Sequence, residues 1–114
     1  MDQVCLVVPV ADDKSEDARS FMAELDDVRR AEYDASERRL GISKEVWFLA
    51  PLPTGAALVA YMESDDFNSA LGRFVESRDD FDMWFKRRLA DSTDLDLNNP
   101  PGGPMPELLS SYSA

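Results

Sequence analysis

Histidine is absent from the 114 residues, and cysteine occurs once, at Cys5. With no imidazole and a single thiol, the chain can form no intrachain disulfide, no thiolate or imidazole zinc cluster and no histidine-held haem. No run reaches the roughly 18 apolar residues of a membrane span, and no basic leader precedes an apolar segment. A cytoplasmic protein with no membrane partner is expected. Basic residues are scarce as well: 12 against 23 acids, a formal net charge of −11, which repels a phosphate backbone unless the cations gather on one face. Arg29-Arg30, Arg38-Arg39 and Arg87-Arg88 are each flanked by acids. They read as solvated helix faces with i,i+4 partners, and no nucleic-acid partner is expected.

What is present suits a single globular domain. The chain is 44% hydrophobic and 10% aromatic, and at this length roughly two-thirds of the unfolded chain's surface can be buried. Gln3 to Val10 (QVCLVVPV) is β-branched and ends in a breaker run, which predicts a strand. Asp13 stands three residues before Glu16 in capping-box spacing, and Ala18, Phe21, Met22, Leu25, Val28 and Ala35 then recur at helical intervals up to Gly41. This predicts one amphipathic helix of roughly 26 residues, about 40 Å long, whose second half projects beyond the core and carries Tyr33 on its surface. Glu45–Ala50 and Ala56–Glu63 predict a hairpin closed by the five-residue loop ProLeuProThrGly. Ser64-Asp65-Asp66 caps a helix bearing Phe67, Ala70, Leu71, Phe74 and Val75 on one stripe. Ser77 to Asp80 interrupts it, and Phe81, Trp84, Phe85 and Leu89 form a second short helical face.

Residues 1–97 therefore predict an α+β domain of the ferredoxin-like order β-α-β-β-α(-α)-β, an antiparallel sheet with helices on one face. Residues 98–114 form a Pro/Gly-rich C-terminal tail in which Glu107 to Tyr112 (ELLSSY) is either a last edge strand or a frayed end. Both faces of the strands are apolar: Val46, Phe48 and Ala50 oppose Trp47 and Leu49, and Leu58, Ala60 and Met62 oppose Val59 and Tyr61. Helices cover only one face. The other needs a second copy of the chain, so a homodimer burying more than about 1,000 Å² is expected.

This layout, with the WF…YMESDD passage and the DDFDMWFKRRL element followed by DLDL, resembles the dimeric α+β barrel superfamily across residues 3 to 97. More narrowly, it is similar to one of the superfamily's small uncharacterised families, whose members carry an Asp-Asp helix cap and a Phe-x-x-Trp-Phe segment. The resemblance implies fold and dimerisation; its members include cofactor-free monooxygenases of quinone-type substrates, muconolactone-type isomerases, haem proteins and stress-response barrels. Without histidine the haem branch does not apply, and no cofactor is expected.

Trp47, Tyr61, Phe81, Trp84 and Phe85 are the candidate ligand-binding residues, since they can line an aromatic pocket between helices and sheet; plain core packing explains the same residues. Tyr61, Asn68 and Trp84 are the candidate catalytic residues, because their neutral donors suit an enolate or dianionic substrate if they converge. Glu63, Asp65, Asp66, Asp79, Asp80 and Asp82 cluster at two helix starts, where capping accounts for them; no metal site is expected, and a cation role for Glu63 with Asp66 has no calcium-loop spacing behind it. Cys5 reads as an inert small hydrophobe. Three functions fit: an uncharacterised dimeric barrel that binds a small apolar or aromatic ligand, a cofactor-free monooxygenase or isomerase of an aromatic polyketide-like or lactone substrate, and a structural interaction module using the Tyr33 face.

Overall fold

The computed structural model describes all residues, Met1 to Ala114. β1 (Asp2–Pro9), β2 (Ile42–Leu52) and β3 (Gly55–Ser64) form an antiparallel sheet in the order β1-β3-β2. Val7 pairs with Val59 and Phe48 with Val59, while Val8 and Leu49 both pair with Leu58. Partners in register share a face, so Val7, Val59 and Phe48 lie outside and Val8, Leu58 and Leu49 inside. The hairpin turns more tightly than its sequence suggests. Pro51 and Leu52 still pair with β3, as an edge strand allows, and only Pro53 and Thr54 remain between the strands.

The single long helix is two: α1 (Ser15–Asp26) and α2 (Arg30–Leu40). At Asp27 the backbone leaves the helical region, with φ −120° and ψ −92°. Val28, which helical spacing assigns to the buried stripe, is 74% exposed. α1 buries Ala18, Phe21 and Leu25, and α2 restarts with Tyr33, Ser36 and Leu40 inward. Tyr33 is thus a core residue, 8% exposed, because the break turns it onto the sheet. Nor does the capping box form. Asp13 takes a left-handed φ of 62°, and α1 begins at Lys14 without a side-chain cap.

α3 (Phe67–Glu76) and α4 (Asp80–Thr93) start as their acids direct. Asp66 accepts from the Ser69 amide, and Asp79 from the amides of Phe81 and Asp82. The core cluster gathers Phe21, Leu25, Tyr33, Leu58, Phe81, Trp84, Phe85 and Leu89, so all four helices lie on the inner face of the sheet. The other face, with Val7 52% and Phe48 59% exposed, has no cover from its own chain. Beyond Thr93 there is no regular element. Residues 107 to 112 form no strand here, so the sheet has three strands, and Leu108, Leu109 and Tyr112 are exposed. No helix is long and apolar enough to cross a membrane.

Candidate active site between helices and sheet

An irregularity in β2 creates the site. Ile42 pairs with Ser64 and Lys44 with Glu63, so Ser43 is an extra residue that interrupts the alternation. The bulge brings both Ile42 and Glu45 to the inner face; with strict alternation they would point opposite ways. From Glu45 the regular period resumes and places Trp47 beside it. Above the strand, Tyr33 and Glu37 stand one turn apart on α2, on the same helix face. A helix pair and a strand pair therefore meet, four polar-ended side chains in an apolar wall.

Their hydrogen bonds converge on one oxygen. Trp47 Nε1 donates to Glu45 Oε2 at 2.9 Å, and the Tyr33 hydroxyl donates to the same atom. Glu37 Oε2 is buried without a protein partner. Neither glutamate forms an ion pair with a lysine or arginine: Arg30 is paired with Asp26 and Asp34, and Arg39 with Asp79 and Asp82. Burial, and then the Glu45 charge beside it, pushes the Glu37 carboxyl up to about 9. Burial also raises Glu45, against the opposing hydrogen bonds from Trp47, Tyr33 and Glu37. The Tyr33 phenol rises too, through burial and the neighbouring Glu45 charge. Of the two carboxyls, Glu37 is thus held toward its protonated form, beside a Glu45 that already accepts from Tyr33 and Trp47.

Two spaces meet at these residues. One is a cavity of about 60 Å³ under the helices, walled mainly by aliphatic and aromatic side chains, among them Leu6, Val8, Met62, Phe74, Phe81 and Phe85. The other is a cleft of about 510 Å³ between α1, α2 and the outer edge of β2, with Met22, Leu25, Arg30, Tyr33 and Lys44 in its walls. Glu37, Ile42, Glu45 and Trp47 line both. The cavity admits a few water-sized groups; the cleft falls within the roughly 300–1,000 Å³ of small-molecule sites.

Of the residues singled out from the sequence, Trp47, Phe81 and Phe85 line the cavity. Trp84 does not. It packs between α1 and α4, edge-on to Phe21 at 5.6 Å and with the Arg29 guanidinium 4.2 Å over its ring. Tyr61 lies on the outer face, its hydroxyl donating to Glu63 at 2.7 Å, and Asn68 is exposed on α3. Tyr61, Asn68 and Trp84 therefore occupy three separate regions and do not converge. Of the acids, Asp66 and Asp79 are caps, while Asp82 is fully buried, accepting from Ser36 at 2.6 Å, Ser77 at 2.6 Å and Arg39 at 2.8 Å.

The sequence matches no family model and no curated protein. Among solved structures, the chain is similar to tetracenomycin F2 cyclase from Streptomyces glaucescens, a type-II polyketide cyclase. The TM-score is 0.54 at 16% identity, covering 100% of this chain and 99% of that one. The likeness is one of fold. It shows an α+β fold close to that of this ferredoxin-like cyclase and does not extend to the small uncharacterised family expected from the sequence.

Proposed function

We propose that the protein is a homodimeric enzyme that binds a flat aromatic, polyketide-like substrate in the cleft beside α2 and β2 and transforms it with side chains of its own. The observation that carries this reading is that a cleft of ligand size, with mixed polar and apolar walls, meets a small apolar, aromatic-walled cavity at Glu37, Glu45 and Trp47, so that two carboxyls sit where the two spaces join. The substrate class is suggested by the neighbour of like fold, which is a polyketide cyclase. Trp47, partly exposed, supplies a ring face against which a fused aromatic can stack, at about 0.5–1.5 kcal/mol per ring pair beyond area burial.

The homodimer follows from the uncovered sheet face. Val7, Phe48, Val59 and Tyr61 together form an apolar surface without a helix over it, and a second copy presents the complementary surface by two-fold symmetry. The interaction-module reading loses its anchor, since Tyr33 is inside the core.

Binding is tested by titrating hydroxyanthraquinones and aryl ketones while following tryptophan fluorescence. Quenching is expected in the wild type and in Trp84→Phe, and a much smaller signal in Trp47→Phe, because only Trp47 borders the cleft. A panel that changes neither the fluorescence nor the melting temperature overturns the reading.

A further inference from the structure

We propose that Glu37 and Glu45 act as an acid–base pair holding one proton between them, and that the pair shifts a proton between the α-carbon and the carbonyl oxygen of an enolisable aryl ketone. The proposal rests on the reading above for where the substrate sits, and adds the reaction and the residues that perform it.

The geometry points to complementary roles. Glu45 receives two donors, from Tyr33 and Trp47, both on Oε2. Its Oε1 receives neither of these donors, so that oxygen takes the role of base. Glu37 has a buried oxygen without an acceptor or donor of its own and no cation in contact, which is the environment of a neutral carboxylic acid. Two carboxyls that face each other across a helix and a strand, with no lysine or arginine paired to either, cannot both stay ionised. Both border the cleft and the inner cavity, so one substrate edge can touch both.

The step balances within the pair. Glu45 removes the proton from the α-carbon, the C–H electrons form the carbon–carbon double bond, the carbonyl π electrons move to oxygen, and Glu37 gives that oxygen its proton. The enol forms with Glu45 protonated and Glu37 ionised. The pair still holds one proton, now on Glu45. No oxidant or reductant is needed. If the enol carbon attacks a second carbonyl of the same chain, Glu45 protonates the new alkoxide, the enol O–H returns its proton to Glu37, and the product is an aldol ring closure; if Glu45 instead protonates another carbon while Glu37 takes back the enol proton, a double bond moves. Tyr33 and Trp47 are positioning residues that hold Glu45 in register.

The test is deuterium exchange at the α-position of 1-tetralone in D2O, followed by proton NMR, with binding measured separately by Trp47 fluorescence. The wild type is expected to accelerate exchange well above buffer containing acetate. Glu45→Gln is expected to reduce the enzymatic rate by roughly 10²–10⁴-fold with binding kept, the range typical of a general base. Glu37→Gln keeps a neutral donor and is expected to slow exchange less and to abolish the alkaline limb of the rate profile. Asn68→Ala, exposed and remote, is expected to exchange at the wild-type rate. If 1-tetralone binds but wild-type exchange does not exceed buffer, or if Glu45→Gln and Glu37→Gln both bind and exchange normally, the acid–base pair is overturned while the binding site stands. If neither 1-tetralone nor the larger aromatics bind, both readings fall together.

Discussion

A glutamate that keeps its proton when folded gives the protein's stability a distinctive pH dependence. Glu37 moves from an ordinary value of 4.5 to about 9 in the fold, with Tyr33 and Asp34 beside it on α2, Glu45 facing it from β2 and Asp82 from α4. Below the lower value both states hold the proton. Between the two values only the folded chain does, so folding takes up a proton and stability falls as pH rises through this window. The melting temperature is expected to drop from about pH 5 to about pH 9, and Glu37→Gln to flatten that drop; a variant with the wild-type slope would contradict the assignment. Asp82 behaves in the opposite sense. Burial acts to raise it, but hydrogen bonds from Arg39, Ser36 and Ser77 outweigh burial and hold it below the ordinary range, so its contribution is lost as pH falls. Neither glutamate could be recognised locally. Glu37 lies in ArgArgAlaGluTyrAspAlaSerGluArgArg, where every charge looks solvated, and the only hints were the i,i+4 spacing of Tyr33 with Glu37 and the i,i+2 spacing of Glu45 with Trp47.

Among the elements, the α3–α4 junction shows how a charged residue enters a core. Lys86 is 1% exposed, and its Nζ donates to the carbonyls of Phe74, Val75 and Ser77 at 3.0, 3.2 and 3.0 Å. These include terminal carbonyls of α3 that have no intrahelical partner, so the ammonium caps one helix from the body of the next. Burial lowers its pKa, yet three acceptors and the nearby Asp82 offset the desolvation. Lys86→Met is expected to destabilise the protein by about 1–3 kcal/mol in urea unfolding, since it orphans buried acceptors; an unchanged midpoint would show that water replaces the ammonium. From periodicity alone Lys86 belongs to a basic surface run with Arg87 and Arg88. The helix starts at Asp66 and Asp79 were legible, because a cap is satisfied by amides two or three residues away. The division of α1 from α2 was not: no glycine or proline marks Asp27 to Arg29, and only the demand that Phe21 and Tyr33 both reach the core imposes the break.

For the whole molecule, the question is what covers the outer face of the sheet. Phe48 and Val7 stand there in solvent, and the apolar Leu108 and Leu109 of the tail are exposed as well. Light scattering at micromolar concentration is expected to give a dimer, and Phe48→Asp a monomer with its helical content kept; a monomeric wild type would leave the face without the partner proposed for it. The sequence by itself determined the three strands and the helical stretches between and after them, though not the division of α1 from α2, together with the acidic caps of α3 and α4, the two-sided apolar strands and the exclusion of histidine chemistry. Each of these depends on residues within a few positions of one another or on composition. Tertiary structure alone decided that Tyr33 lies inside, that Trp84 and Tyr61 lie apart, and that a bulge at Ser43 turns Glu45 toward Glu37. Those outcomes depend on which strand lies under which helix, a long-range arrangement that no local spacing records.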